Sequence, residues 1–334
     1  MMILTSEEMT TIVTAYFDLA SIEGTNRANS QDYFTWGECL MNCNQPMIIF
    51  IEEKNRDKIT EMRSQFMDKT LIRTMTLDDL PTMKKGKYQE IKHSTTNSKD
   101  TSLYKCWTWC KLDLIQIALQ LNPFQTQYFS WVDFGIGKVH RSGVPEFRVP
   151  EDDNKICLHE IIPSFQSDVC NLDIFYSTFR HNIAGGYFSG SIESLPWFID
   201  EFHRILDESI QQGHRVHEQN LFAVVVARNY DRIDFSFGDY SEILGSSPPS
   251  GIALHLEQIN KCMILGRHDH GFKRCMYLKD RVCKDDLFSV LDQLFLCAYY
   301  SGRKDVCSQI ADEYLARSPD VHKARVMANL KYIA

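Results

Sequence analysis

Apolar runs alternate with amphipathic segments along the first three quarters of the chain, which is the order that an α/β sheet requires. The runs TTIVTAYFDL at 10–19 and PMIIFIEE at 46–53 are rich in β-branched and aromatic residues, as buried strands are. Apolar residues at helical spacing follow at 29–43 and at 56–66. The pattern therefore predicts alternating strands and helices, with the helices covering a sheet.

The longest periodic segment, SLYKCWTWCKLDLIQIALQLNPF at 102–124, carries apolar residues every three or four positions. It predicts one amphipathic helix that ends at Asn122-Pro123. The run YFSWVDFGIG then predicts a buried strand that ends at Asp133. An acid at the carboxyl end of a buried strand lies at the edge where open α/β sheets bind ligands.

A glycine-rich segment, FRHNIAGGYFSG, precedes a second long amphipathic pattern from about Ile192 to Gln211. We expect a turn at Gly185-Gly186, where glycine supplies positive φ angles, and a helix after it. The stretch from Glu218 onward predicts an apolar helix or strand, and RIDFSFGDY at 232–240 predicts the last strand of the sheet.

The composition changes at GSSPPSG, 245–251, which has the residues of a linker. Helical patterns dominate after it. We therefore predict two domains, an α/β domain at 1–250 and a helical region at 251–334. The last ~45 residues loosely resemble one tetratricopeptide-type helical hairpin, which cannot bury its own apolar face and would pack on the first domain or on a protein partner.

Charge and cysteine content narrow the class of protein. A net charge of −8 over 334 residues argues against a general nucleic-acid binder, which presents a basic face. No apolar run approaches the ~20 residues of a membrane-spanning helix, and the N-terminus lacks the pattern of a signal peptide. The eleven cysteines contain no CxxC pair, so we expect reduced thiols and a cytoplasmic location.

Taken together, PMIIFIEE, the helix with Arg63, and the segments YKCWTWCKLDLIQIALQLNPF and YFSWVDFGIG closely resemble the bacterial HtrL/YibB-like family. That family is grouped with GT-A-type glycosyltransferases. The resemblance covers about residues 10–245 and is most specific at 104–137. A Lys-Leu pair that opens a helix before an acid-ended strand also resembles retaining GT-A enzymes of the glycogenin type.

The resemblance implies a GT-A-like fold, a Rossmann-like mixed sheet flanked by helices, and a metal-assisted nucleotide-sugar site. The DxD motif of such enzymes is replaced here by Trp131-Val132-Asp133, so that only Asp133 carries over as a ligand of Mn²⁺ or Mg²⁺. His255 would complete the metal site, although a packed histidine fits its apolar surroundings as well. Lys111 would contact the departing diphosphate and contribute to catalysis.

Further contacts implied by the resemblance concern the base, the sugar and the acceptor. Thr14, Ala15 and Tyr16 would line a uridine pocket, or else form an ordinary core strand. Asn182, Gly185 and Gly186 would contact the sugar. Glu218 would serve as general base in an inverting reaction, or else interact with a helix dipole alone.

We therefore predict a glycosyltransferase that moves a sugar, as a hexosyl group, from a UDP-sugar to a hydroxyl of a glycan or glycosylated acceptor. An alternative is a catalytically inactive module of the same fold that binds a glycan or a protein. A nucleotidyltransferase ranks lower, because the segment after the first strand carries one glycine, Gly24, where a glycine-rich phosphate loop is expected.

Overall fold

The computed structural model describes residues 10–23, 28, 30–84, 101–140, 145–177, 181–214, 216–245 and 252–317. The chain divides into two compact units: Met1–Ser236 with Ile243–Ser247, and Phe237–Glu242 with Pro248–Ala334. The predicted linker lies outside the described residues from position 246 to 251. The two domains with a boundary at residue 250 stay a prediction.

A seven-stranded sheet forms the centre of the first unit, in the order β3-β2-β1-β4-β6-β5-β7. Its strands are β1 (Thr10–Tyr16), β2 (Met47–Ile51), β3 (Thr70–Thr74), β4 (Tyr128–Val132), β5 (Ile156–Glu160), β6 (Ile183–Ser191) and β7 (Ile233–Phe237). Strands β3, β2, β1 and β4 run parallel, whereas β6 is antiparallel to both β4 and β5. The sheet is therefore mixed, with its four parallel strands side by side.

Helices cover this sheet along the chain. They are α1 (Leu19–Glu23), α2 (Ser30–Met41), α3 (Arg56–Met62), α4 (Pro81–Lys84), α5 (Ser102–Trp109), α6 (Lys111–Leu121), α7 (Leu172–Tyr176), α8 (Ser194–Gln211) and α9 (Glu218–Arg228). Strands β1 and β2 are buried along their whole length, which is why their sequences are apolar runs rather than alternating patterns. The expected fold class, a Rossmann-like mixed sheet flanked by helices with an all-α C-terminal region, is confirmed.

The order in which the chain adds strands to the sheet reverses at β1. From β1 the chain builds β2 and β3 on one side, and β4 then pairs with the opposite side of β1. In open α/β sheets such a reversal opens a crevice at the carboxyl ends of the strands. Asp133 is the first residue after β4 at that edge.

Two expected elements differ from the structure. The single helix expected at 102–124 is two helices, α5 and α6, which meet at Cys110. The turn expected at Gly185-Gly186 is wrong, because both glycines lie inside strand β6. Neither glycine has a positive φ, so a close approach of other groups, rather than a turn, accounts for them.

Arg63 directly follows α3 and lies in the interior of the first unit. Its side chain is fully buried, and its guanidinium donates hydrogen bonds to the backbone carbonyls of Met41, Cys43 and Gln45 at 3.0, 2.6 and 3.2 Å. It therefore holds the segment between α2 and β2 in place, which is a structural role.

Besides Phe237–Glu242, the described part of the second unit contains helices α10 (Ile252–Ile264), α11 (His268–Lys279), α12 (Lys284–Tyr300) and α13 (Lys304–Arg317). Its core includes Ile259, Leu278, Leu291 and Leu294. The tetratricopeptide-like character of the last hairpin stays a prediction. Among all described helices, none combines the length and hydropathy that crossing a membrane requires.

Candidate functional site

Lys111 is the first residue of α6, and its ammonium group lies in the interior of the first unit. The side chain is 3% exposed. Nζ lies 2.9 Å from Oδ1 of Asp133, and it donates hydrogen bonds of 2.9 Å to the carbonyl of Gly185 and 3.0 Å to Oε1 of Glu218. An ammonium group has three protons to donate, so these three partners use all of them.

Each partner reaches Lys111 from a different element. Asp133 follows β4, Gly185 lies in β6, and Glu218 opens α9 directly after the extended residue His217. The break between α5 and α6 at Cys110 places Lys111 at the start of a new helix. The four residues therefore meet only when the sheet and two helices are assembled.

The charges of Lys111 and Glu218 stabilise each other. Burial would lower the pKa of Lys111, but the carboxylates of Asp133 and Glu218 together raise it above its usual value. Burial would likewise raise the pKa of Glu218, but the charge of Lys111 and hydrogen bonds keep it below its usual value. Both groups are therefore charged at neutral pH, and the cluster of one ammonium and two carboxylates has a net charge of −1.

Glycine is needed at position 185 because the carboxylate of Glu218 packs directly on its backbone. A Cβ atom there would lie 2.2 Å from Oε1 of Glu218, far inside van der Waals contact. The carbonyl of Gly186 accepts a 2.9 Å hydrogen bond from the backbone N–H of Asp133. The backbone of β6 thus holds both the lysine and the aspartate, whereas a sugar contact at either glycine stays a prediction.

Asp133 differs from its partners because its side chain is 41% exposed. Its Oδ1 accepts a hydrogen bond of 2.8 Å from the indole Nε1 of Trp131, and its Oδ2 accepts one of 3.2 Å from Lys111. A carboxylate has about four lone-pair positions, so positions on the solvent side stay open. Within the Lys111–Asp133–Glu218 cluster, Asp133 is the group that a ligand from solvent can contact.

A row of aromatic side chains connects Asp133 to a cavity. Trp131 contacts Trp107 at a centroid distance of 6.5 Å, and Trp107 contacts Phe17 at 5.0 Å. Phe17 lines a cavity of about 470 Å³ at the carboxyl ends of β1, β2 and β3. The remaining lining residues are Ile22, Glu52, Thr76, Leu77, Asp78, Met83, Leu103 and Cys106.

The residues expected to line a base pocket lie one step before this cavity. Thr14, Ala15 and Tyr16 are buried inside β1, and the Tyr16 hydroxyl donates to Ser30 at 2.9 Å. None of the three lines the cavity, which begins at Phe17. Their placement corresponds to the core-strand alternative, and a contact with a base stays a prediction.

Three further expected site residues are also buried. Trp131 and Val132 have no exposed surface, so Trp131 acts on the site through its hydrogen bond to Asp133. Asn182 is 4% exposed and donates to the carbonyls of Ile162 and Pro163. In the structure Asn182 ties β6 to the loop after β5, and its expected sugar contact stays a prediction.

His255 belongs to the second unit, on helix α10. Its ring is fully buried, stacks on Tyr277 and lies 3.4 Å from a carboxylate oxygen of Glu242. This is the packed environment that the alternative reading of the sequence described. Its role as a metal ligand beside Asp133 stays a prediction.

The donor set at Asp133 fits a cation that is carried by a diphosphate. Among the described residues, no group of three or more His, Cys, Asp or Glu side chains is arranged to hold a metal ion. Mg²⁺ in phosphate-transfer sites takes one or two protein carboxylates and completes its shell with phosphate and water, and Mn²⁺ favours the same oxygen ligands. The open lone pairs of Asp133 can supply one such ligand.

Sequence reasoning missed the cavity residues Phe17, Glu52 and Asp78. Phe17 and Glu52 directly follow β1 and β2, and Asp78 follows β3 closely. The signal was present, because a side chain just after a parallel strand lies at the ligand-binding edge of the sheet. That rule was applied to Asp133 but not to the ends of the other three parallel strands.

Comparison with known proteins identifies one family and a set of solved structures. A profile of the HtrL_YibB family, described as a bacterial protein of unknown function, matches residues 8–244. No curated protein sequence matches significantly. Solved structures that match include mouse xyloside xylosyltransferase 1 in its apo form, at 9% identity and a TM-score of 0.39, covering 68% of this chain and 84% of that one. A likeness of that size says nothing about the reaction of this chain.

Proposed function

We propose that this chain, which belongs to the HtrL_YibB family, transfers a sugar from a nucleotide-diphosphate donor to a hydroxyl group of an acceptor. One observation carries the proposal. Asp133, the solvent-accessible carboxylate of a buried charge cluster, follows β4 where the sheet reverses beside β1. A cavity of nucleoside size opens at the same edge, as expected for a ligand at such a reversal.

The two features suit the two ends of a nucleotide sugar. Phe17, Glu52 and Asp78 line the cavity, and we propose that it takes the base and that the two carboxylates bind ribose hydroxyls. Asp133 lies at the same edge of the sheet as the cavity, and we propose that the diphosphate lies there. We propose a UDP-sugar with a hexosyl group as the donor, and a glycan or glycosylated molecule as the acceptor.

In the reaction, the bond between the anomeric carbon and the diphosphate oxygen breaks, a bond to the acceptor oxygen forms, and the proton of the acceptor hydroxyl passes to the departing diphosphate or to water. Asp133 would hold Mn²⁺ or Mg²⁺, which when bound neutralises the charge that develops on the diphosphate. Lys111 and Trp131 orient the carboxylate of Asp133. The backbone of β6 fixes the position of Asp133 from the other side.

The cysteines support a reducing compartment. None of the eleven forms a disulfide in the structure, and most are buried. Thiols that stay unpaired are typical of the cytoplasm, where nucleotide sugars are available as substrates. We propose that the protein acts there.

The test is donor turnover with a matched aspartate control. The protein is incubated with Mn²⁺ and a panel of UDP- and GDP-sugars, with and without sugar acceptors, and release of the nucleoside diphosphate is measured. We expect release from at least one donor, and a loss of about a hundredfold in Asp133→Asn, because one electrostatic contact to the leaving group is removed. Asp57→Asn, an exposed acid on α3, should behave as wild type.

Two results would refute the proposed enzymatic function. One is that no donor in the panel is turned over. The other is that Asp133→Asn turns a donor over as fast as the wild type. A donor that binds tightly without turnover would favour the second candidate function, a glycan- or protein-binding module of the same fold. That candidate is motivated by the buried Trp131 where the first acid of a metal-binding pair is expected.

A further inference from the structure

Glu218 is poorly placed to remove a proton from an acceptor. Its side chain is 5% exposed, and Oε1 accepts a hydrogen bond from Lys111 while the carboxylate packs on the backbone of Gly185. A general base must reach the proton it abstracts at hydrogen-bond distance. Its position suits a charge partner of Lys111 better than a contact with substrate.

Lys111 is shared between two carboxylates of very different exposure. If it faced Asp133 alone, its charge would cancel that of Asp133 and would compete with a cation for the same oxygens. Glu218, at 3.0 Å from the ammonium, supplies the compensating charge from the buried side. Asp133 thereby keeps an effective negative charge toward solvent, although it touches a lysine.

We propose that Glu218 is a positioning residue that neutralises Lys111 and so leaves Asp133 able to bind a divalent cation together with a nucleoside diphosphate. This proposal rests on the proposed function, since it concerns the cation of the same reaction. Its consequence is that cation affinity follows the net charge of the cluster. The wild type has −1, Glu218→Gln has 0, and the double variant Lys111→Met with Glu218→Gln has −1 again.

The experiment measures UDP binding by titration calorimetry, once with excess Mn²⁺ and once with a chelator. Binding of Mn²⁺ alone is followed in parallel through the paramagnetic resonance signal of the free ion. For the wild type we expect Mn²⁺ to strengthen UDP binding at least about tenfold. Glu218→Gln should lose most of that gain, because removal of a nearby unit charge weakens the attraction for a divalent ion.

The double variant separates charge from structure. Lys111→Met with Glu218→Gln removes both buried charges together, and the Mn²⁺-dependent gain should return to within about threefold of the wild type. A general base or a purely structural residue would not be rescued by removing its lysine partner. If Glu218→Gln alone fails to fold, the double variant still decides, since a loss above about tenfold there overturns the proposal.

The possible outcomes distinguish a failure of the role proposed for Glu218 from a failure of the proposed glycosyltransferase function. If neither UDP nor GDP binds under any condition, the donor class of the proposed function is wrong and this inference falls with it. If UDP binds equally with and without Mn²⁺, or if Glu218→Gln keeps the full Mn²⁺ gain, the role of Glu218 is refuted while a glycosyltransferase stays tenable. If Glu218→Gln lowers turnover but not Mn²⁺-dependent binding, Glu218 acts as a base instead.

Discussion

The indole N–H of Trp131 donates a 2.8 Å hydrogen bond to Oδ1 of Asp133, two residues further along the same chain. Trp131 lies inside strand β4, has no exposed surface and stacks on Phe188 of the neighbouring strand. The position where a metal-binding pair would have its first carboxylate therefore carries a group that orients the second. In the proposed cation site, one acid that is held in place would do the task that the two acids of a DxD motif share.

Removing this hydrogen bond should weaken cation-assisted donor binding without unfolding the protein. Trp131→Phe keeps an aromatic ring against Phe188 but has no N–H to donate. A hydrogen bond to a charged group contributes about 1.5 kcal/mol or more, so Mn²⁺-dependent UDP affinity should fall about tenfold by calorimetry. Trp107→Phe makes the same change in the adjacent ring and should leave the affinity nearly unchanged; equal losses in both variants would contradict the role of the N–H.

The two neighbouring glycines of β6 should respond differently to alanine. In Gly185→Ala the new Cβ would lie 2.2 Å from Oε1 of Glu218, whereas in Gly186→Ala its nearest neighbour is Cδ1 of Ile136 at 3.3 Å. Forcing an atom into a packed interior costs about 1–3 kcal/mol. We expect a loss near 2 kcal/mol in urea unfolding for Gly185→Ala, and less than about 1 kcal/mol for Gly186→Ala. Equal stabilities would show that Glu218 moves aside freely.

Arg63→Met should be among the most damaging single changes in the sheet unit. The variant keeps part of the buried stem but leaves the carbonyls of Met41, Cys43 and Gln45 without their donor. A buried acceptor left without a partner costs about 1–3 kcal/mol, so we expect a total loss of about 3 kcal/mol or more in urea unfolding. Arg56→Met, at the exposed start of α3, is the control and should cost less than about 0.5 kcal/mol.

The pair that joins α8 to α9 should make stability depend on pH. Arg228 donates two hydrogen bonds to Glu208, at 2.7 and 3.0 Å, and these lower the pKa of Glu208 despite its partial burial. A carboxylate with a lowered pKa in the folded state adds stability above its unfolded pKa of about 4.3, and that stability is lost as the pH falls through the folded pKa.

Glu208→Gln should therefore cost about 1 kcal/mol at pH 7, and the difference from wild type should be smaller at about pH 3, because the stability is lost as the pH falls through the lowered folded pKa. Urea unfolding at the two pH values measures this. Glu61→Gln removes an exposed partner of Lys58 and should change stability little at either pH. A pH-independent loss in Glu208→Gln would mean that packing, rather than charge, accounts for the effect.

Helices and strands with a clear pattern of apolar residues were predictable from the sequence. The buried runs became β1 and β2, and the helix expected from Ile192 to Gln211 is α8, Ser194–Gln211. These patterns depend on which faces are buried, and burial leaves a direct record in the residue types. The strand that ends before Asp133 was predictable for the same reason.

The features that sequence reasoning missed depend on contacts between distant segments. The glycine pair read as a turn because local preference favours turns, and only Glu218, 33 positions beyond Gly185, explains glycine inside a strand. Lys111, Asp133 and Glu218 were named for three separate tasks, whereas the structure has them bonded to one another. The helix break at Cys110 has no neighbouring glycine or proline from which it could be predicted.

The hydrogen bond between Lys111 and Glu218 joins residues 107 positions apart, and this has a thermodynamic consequence. The cluster exists only while β4, β6, α6 and α9 are assembled, so a ligand that needs the cluster has affinity for the folded sheet unit and none for the unfolded chain. Such a ligand at a hundred times its dissociation constant stabilises the fold by about 2.7 kcal/mol. The melting temperature of the sheet unit is therefore a gauge of occupancy at Asp133, and it can identify the true donor before any acceptor is known.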